Sequence, residues 1–202
     1  MRALIIMLFI SGSVFAQQDD ILVVGNYTSL CLADSAFTKV DSLPENLDSV
    51  KIIMLFSSST SNLDKKDIDK IETFVRNGGG LYSGSDNWPL QAESNQVTNQ
   101  IYRKESFGNY QQTSAEVNTD GNLDFTNIDS VPAGQTTTAF PLDYRLKVEA
   151  WVQDQPLISS GTLDKGKIII DGGYSRFYCL HRSQSSDALL QEFITFLARK
   201  EE

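Results

Sequence analysis

The sequence has 202 residues, 41% of them hydrophobic and 21% charged, which is the composition of an ordinary globular protein. Its formal net charge is −9 at pH 7, and the acidic residues are scattered while the basic ones form no patch. These properties argue against nucleic acid and anionic membrane surfaces as partners, because both are bound through clustered Lys and Arg side chains.

The N-terminus has the pattern of a secretory signal peptide. Arg2 precedes a short apolar run, and Val14 and Ala16 provide the small side chains before a cleavage site. The run is far shorter than the roughly 20 residues of a membrane-spanning helix. We therefore expect residues 1–16 to be cleaved, residues 17–202 to form one domain, and the mature protein to be secreted or periplasmic without membrane insertion.

The first predicted elements are two strands and a helix. Residues 21–24 and 50–56 are continuous apolar runs, which are typical of strands buried on both faces of a parallel sheet. The following helix has apolar residues at helical spacing, with charged residues on the opposite face. Asn62 or Asp64 is predicted to cap its start, and Gly78 is predicted to end it.

A third strand at 81–83 leads into the polar stretch Ser85-Asp86-Asn87-Trp88-Pro89. A helix is predicted from this stretch to about residue 103, with Asn87 as its cap and Pro89 in its first turn, where proline is tolerated. The later elements are antiparallel strands at 112–117 and 144–152, a hairpin or late strand pair at 156–159 and 167–170, and an amphipathic helix at 187–197.

Alternation of strands and helices over this length predicts an α/β fold. We expect a flavodoxin-like three-layer sandwich with a mostly parallel central sheet and added antiparallel strands. In such sheets, ligands bind beyond the carboxyl ends of the strands. The loops predicted at that edge, here called the crest, are small and polar with an occasional aromatic residue: 25–28, 57–60, 84–88 and 172–177.

The crest is the predicted binding site for a small polar ligand. Asp86 and Asn87 offer hydrogen bonds and Trp88 a flat apolar face, a combination that suits a sugar-like ring. The rim of the site is predicted to contain Tyr27, Tyr174 and Arg176. The alternative is structural: Trp88 packs in the core, and Asp86 and Asn87 cap the following helix.

Two cysteines lie in the predicted mature chain. Cys31 and Cys179 each follow a predicted strand, and an even pair in an exported protein favours a disulfide, although two buried thiols are the alternative. The single histidine, His181, and these cysteines show no metal-ligand spacing. We expect neither a metal nor a cofactor.

The run from Ile71 to Tyr82, with Ser85-Asp86-Asn87 after it, resembles the class I glutamine amidotransferase-like superfamily. The similarity is to the divergent branch that includes trehalose-utilisation-type (ThuA-like) proteins and related extracytoplasmic domains. It extends over most of residues 20–197, and 156–158 with 166–173 is similar to that group's last strand pair. The resemblance implies the fold, but a shared fold does not transfer an activity.

Catalytic members of that superfamily place a Cys at the turn between strand and helix, and a His-x-Glu pair after the late strand. The matching turn, here called the elbow, is Gly84-Ser85-Asp86, and His181 is followed by Arg182-Ser183. The glutaminase triad is therefore missing. Ser85 with His181 is the candidate substitute, but a nucleophilic Ser needs an adjacent base and a third group that orients it.

Two functions follow from these observations. The first is an exported non-catalytic binding or interaction domain for a carbohydrate-like ligand or an envelope protein. The alternative is a hydrolase of small envelope or carbohydrate substrates that uses Ser85 or Asp86. Asp86 is the only acidic residue in the crest loops, which gives chemistry by two carboxylates little support.

Overall fold

The computed structural model describes residues 20–32, 36–60, 63–128, 130–134 and 136–199. The predicted signal peptide, residues 1–16, lies outside these ranges. Within them, the helices are too short or too polar to cross a membrane.

Eleven strands, three α-helices and one 3-10 turn make up the described chain. The strands are β1 (Ile21–Gly25), β2 (Thr38–Val40), β3 (Ile52–Phe56), β4 (Gly80–Gly84), β5 (Phe107–Tyr110), β6 (Ser114–Val117), β7 (Val131–Pro132), β8 (Thr137–Ala139), β9 (Leu146–Val152), β10 (Gln155–Leu163) and β11 (Gly166–Asp171). The helices are α1 (Lys65–Arg76), α2 (Ala92–Tyr102) and α3 (Gln184–Ala198), and the 3-10 turn is Tyr174–Phe177.

Nine of the strands form one mixed sheet in the order β2-β1-β3-β4-β11-β10-β9-β6-β7. The pairs from β2 to β11 are parallel, and the pairs from β11 to β7 are antiparallel. Strands β5 and β8 form a separate antiparallel pair. The predicted α/β class, with antiparallel strands added to a parallel region, is confirmed.

Helices cover both faces of the sheet. Successive residues of a strand point to opposite faces, so each buried strand contacts helices on both sides. In β11, Ile169 packs with the apolar side of α3, whereas Ile168 and Ile170 pack with α1 and α2. Strand β3 is buried along its whole length. The continuous apolar runs in the sequence reflect this burial on both faces.

Helix α1 begins and ends where its sequence predicts. The side chain of Asp64 accepts a hydrogen bond from the backbone N–H of Asp67 at 2.8 Å, which caps the first turn. Gly78 follows the helix with φ +114°, a conformation that favours glycine. The other predicted cap, Asn62, lies outside the described residues.

The start of helix α2 corrects the prediction. The helix begins at Ala92, and neither Asn87 nor Pro89 belongs to its first turn. The backbone N–H of Asp86 donates to the carbonyl of Leu90 at 2.8 Å, so residues 86–90 close into a separate loop. Asn87 is therefore not the helix cap.

Hydrogen bonds between the first turn of α2 and the crest loop 57–60 set where the helix begins. The carboxylate of Glu93 accepts hydrogen bonds from the backbone N–H of Ser58 at 2.7 Å and from its hydroxyl at 2.6 Å. This contact joins residues far apart in the sequence, and local capping rules do not anticipate it.

Candidate functional site

The crest loops meet at the carboxyl edge of the parallel strands, and hydrogen bonds tie them together. The hydroxyl of Tyr174 donates to the carbonyl of Ser57 at 2.5 Å and accepts from Nδ2 of Asn26 at 3.2 Å. The backbone N–H of Tyr174 donates to the carbonyl of Ser85 at 3.2 Å. The loops that the sequence placed together do lie together, but their polar groups largely bond to one another.

The elbow residue Ser85 is fully buried. Its hydroxyl donates to the carbonyl of Asp171 at 3.1 Å and lies 3.1 Å from Oγ1 of Thr138 and 3.3 Å from Oγ of Ser106. All of these neighbours are hydroxyls or a carbonyl, and none of them is a base that would activate a nucleophile. His181 is half-buried, and its ring lies 6.4 Å from that of Tyr178.

Behind the elbow lies a buried ion pair that the sequence analysis missed. Nη1 of Arg176 lies 2.9 and 2.8 Å from the two carboxylate oxygens of Asp171, and both side chains are fully buried. The hydroxyl of Tyr82 donates to the same carboxylate at 2.7 Å. Asp171 ends a strongly apolar strand, and a charge in that position is the sequence signal that would have revealed the pair.

This ion pair corrects the prediction that Arg176 and Tyr174 line an open rim. Arg176 is 1% exposed, because its charge is neutralised inside the protein by Asp171. Tyr174 has no exposed surface, since its ring packs edge-on against Phe56 at a centroid distance of 5.6 Å. Burial also raises the pKa of the Tyr82 hydroxyl, an effect that the neighbouring carboxylate of Asp171 reinforces.

Asp86 is also buried, and its carboxylate holds the crest together. One oxygen accepts from the backbone N–H of Asn87 at 2.7 Å and the other from the backbone N–H of Ser175 at 2.8 Å. Burial raises the pKa of Asp86 to about 6, although hydrogen bonds from Ser175 and Asn87 and the charge of Arg176 oppose this shift. Asp86 therefore supports the loop rather than presenting its carboxylate at the surface.

The other predicted binding residues lie nearer the surface. Trp88 is 74% exposed, which corrects the alternative in which it packs in the core. Asn87 and Tyr27 are partly exposed, and the hydroxyl of Tyr27 donates to the carboxylate of Asp41 at 2.7 Å. Trp88 is thus the large apolar group that this loop exposes to solvent.

Cys31 and Cys179 form a disulfide, with their Cα atoms 4.8 Å apart. Backbone hydrogen bonds run alongside it: the N–H of Cys179 donates to the carbonyl of Ser29, and the N–H of Cys31 donates to the carbonyl of Phe177. The two segments therefore meet as a short antiparallel bridge. This is the pairing that the sequence analysis favoured over two buried thiols.

Two cavities stand out in the described chain. The larger, of 1370 Å³, lies at the opposite edge of the sheet from the crest, and its lining includes Val50, Gly79 and Lys165. The smaller, of 700 Å³, lies beside the crest and is lined by Arg176 and His181 together with Gln111, Gln112, Thr113, Pro132, Gly134 and Thr136. We call the smaller one the flank cavity. Within the described ranges, no cluster of three or more His, Cys, Asp or Glu side chains could hold a metal ion.

No family model and no curated protein matches the sequence. Solved structures do resemble its fold. The Cytoplasmic Protein STM3548 from Salmonella typhimurium superposes with a TM-score of 0.64 at 14% identity, covering 90% of this chain and 100% of that one. A ThuA-like protein from Bacteroides uniformis gives a TM-score of 0.59 at 13% identity, covering 90% and 92%.

A GH42 β-galactosidase from G. stearothermophilus also superposes, with a TM-score of 0.55 at 13% identity. The match covers 87% of this chain but 29% of the β-galactosidase, so it concerns one part of a larger protein. At these identities the similarity shows the fold alone, and the fold is that of ThuA-like proteins.

Proposed function

We propose that this chain is an exported, non-catalytic binding or interaction domain for a carbohydrate-like ligand or an envelope protein. In this proposal, residues 17–202 form a flavodoxin-like domain of the class I glutamine amidotransferase-like superfamily, and residues 1–16 direct its export to the periplasm or beyond. The observation that carries the proposal is the sealed elbow, where Ser85 is fully buried among hydroxyl and carbonyl neighbours.

The surface around the elbow favours binding over catalysis. The two candidate reactive groups of the hydrolase alternative, Ser85 and Asp86, are both buried, and the hydrogen-bonding groups of each are engaged within the fold. Trp88 is instead open to solvent, and an exposed indole ring suits stacking against a sugar or another partner.

The disulfide supports export. Disulfides form and persist in oxidising compartments and are rare in the reducing cytosol. Cys31 and Cys179 are joined across 148 positions of the chain.

Mass spectrometry of protein recovered from the exported fraction should give a chain that begins at Gln17. Recovery of exported protein that keeps residues 1–16 would contradict the signal-peptide proposal.

A serine-directed fluorophosphonate probe tests the absence of catalysis. We expect no labelling of the folded protein, because Ser85 is inaccessible and lacks a base. Ammonia release from glutamine should also stay at the level of a buffer control. Probe attached to Ser85, identified by peptide mass and abolished in Ser85→Ala, would overturn the proposal in favour of a hydrolase.

A further inference from the structure

The flank cavity is bounded by chain segments that hydrogen bonds hold in place. The backbone N–H of Ala133 donates to the carbonyl of Thr113 at 3.3 Å, joining two walls. Nη2 of Arg176, which forms the floor of the cavity, donates to the carbonyl of Ala133 at 3.1 Å. This bond ties the floor to the wall that contains Ala133. The side-chain oxygen of Gln112 accepts from the backbone N–H of Gln153 at 3.1 Å. The cavity is therefore a built feature of the fold.

The remaining wall, around His181, is fixed by the disulfide. The backbone N–H of His181 donates to the carbonyl of Tyr178 at 2.8 Å. The next residue along the chain, Cys179, is bonded to Cys31. Because this segment is tied both covalently and by hydrogen bonds, His181 is held in the lining of the cavity.

The lining carries polar side chains and almost no net charge, and most of its accessible surface is apolar. The described lining residues include no carboxylate, although the chain has 26 acidic residues. The guanidinium of Arg176 is neutralised by Asp171, and its Nε has no hydrogen-bond partner in the described chain. Gln111, Thr113 and His181 add groups that can donate and accept hydrogen bonds.

We propose that the flank cavity binds a small neutral ligand rich in hydroxyl or amide groups, of the size of a mono- or disaccharide. A volume of 700 Å³ falls within the range of small-molecule sites. An anion is disfavoured because the charge of Arg176 is already balanced by Asp171. The inference rests on the proposed function of a binding domain, and it places the small-ligand site beside the crest instead of at Trp88.

The chain contains one histidine, so its imidazole resonances report on this cavity alone. We would titrate the folded protein at constant pH with glucose, N-acetylglucosamine, maltose and cellobiose, and in separate arms with acetate and phosphate, and follow the His181 ring protons by NMR. The expected result is a saturable shift with at least one sugar and none with either anion.

Substitutions then locate the site. Thr113→Val and Thr136→Val remove one hydroxyl each and preserve shape, and the Thr113 carbonyl that joins the walls is kept. Each should weaken sugar binding about tenfold or less, as expected for a lost hydrogen bond. Thr73→Val, an exposed threonine on α1, is the matched control and should bind like the unaltered protein. Thermal unfolding checks that every variant is folded.

Three outcomes would overturn the inference. A shift with acetate or phosphate but with no sugar would identify an anion site. Sugar binding that survives both threonine substitutions and is lost in Trp88→Ala would move the ligand to the crest, and the proposed function would stand. No shift with any compound would remove the flank cavity as a site, while the fluorophosphonate and glutamine assays would still decide whether the chain is catalytic.

Discussion

The crest interior and the flank cavity lie side by side at one edge of the sheet. In the crest interior the polar groups are buried and bonded to one another, whereas in the flank cavity polar groups face open space. In the crest interior, the carboxylate of Asp171 accepts hydrogen bonds from both Tyr82 and Arg176, and all three side chains are buried. In the flank cavity, Thr113 and His181 line open space. Polar residues beyond a strand end can therefore bond to one another inside the fold or remain at an open surface.

Replacing Arg176 is the strongest way to test this contrast. Arg176→Met would leave the Asp171 carboxylate buried without its partner, and breaking such a pair costs about 3–5 kcal/mol. Urea unfolding would measure the loss. The matched control is Arg182→Met, since the Arg182–Asp187 pair has side chains 44% and 48% exposed and should contribute less than about 1 kcal/mol. Equal losses in the two variants would show that the crest pair is no more important than a surface one.

Removing the disulfide tests how the cavity wall is held. The double variant Cys31→Ser, Cys179→Ser should lose about 2–5 kcal/mol of unfolding free energy, because the bond closes a long loop. It should also broaden or shift the His181 ring resonances, since the segment that carries His181 loses its covalent tie. Dithiothreitol should reproduce both changes in the unaltered protein and change nothing in the double variant. Unchanged His181 resonances would show that hydrogen bonds alone fix this wall.

The pH dependence of stability tests the burial of Asp86. Its pKa is raised from an ordinary 3.8 to about 6, so the folded protein holds this proton more tightly than the unfolded chain does. The resulting stabilisation is complete below about pH 4 and is lost as the pH rises through about 6, and it amounts to about 3 kcal/mol at most.

The variant Asp86→Asn isolates this effect from the other carboxylates. It cannot titrate, so the stability of the unaltered protein relative to the variant should fall between pH 4 and pH 7. Urea unfolding at several pH values measures the difference. A difference that does not change with pH would mean that Asp86 is not the buried titrating group described here.

Local sequence patterns predicted the parts of the fold that local physics decides. The apolar run that became β3 required burial on both faces, and Asp64 stood where a helix cap is needed. The disulfide was also accessible from the sequence, because an even pair of cysteines had few alternatives. In each case the residues that carry the signal lie close together in the chain or have one obvious partner.

The sequence misplaced what depends on distant contacts. The start of α2 is set by Glu93 bonding to Ser58, and the burial of Arg176 by the way the turn after β11 directs it back to Asp171. The flank cavity lies where residues 111–113 meet residues 132–134. The sequence predicted a strand at 112–117 but not the segment that pairs with it, so the cavity could be found only from the structure.

Replacing Trp88 should have the smallest effect on stability. It also distinguishes most clearly a residue that supports the fold from one that contacts a partner. Its side chain is 74% exposed, so Trp88→Ala should change the unfolding free energy by no more than about 0.5 kcal/mol. If the crest surface contacts a partner, the same substitution should weaken that association, because exposed tryptophans are frequent anchors of interfaces. Since the chain has two tryptophans, Trp151→Phe leaves Trp88 as the sole indole, and its fluorescence then reports partner binding directly. A loss of several kcal/mol of unfolding free energy in Trp88→Ala would show that the ring supports the fold. Trp88 would then belong with the buried crest interior and not with the open surface.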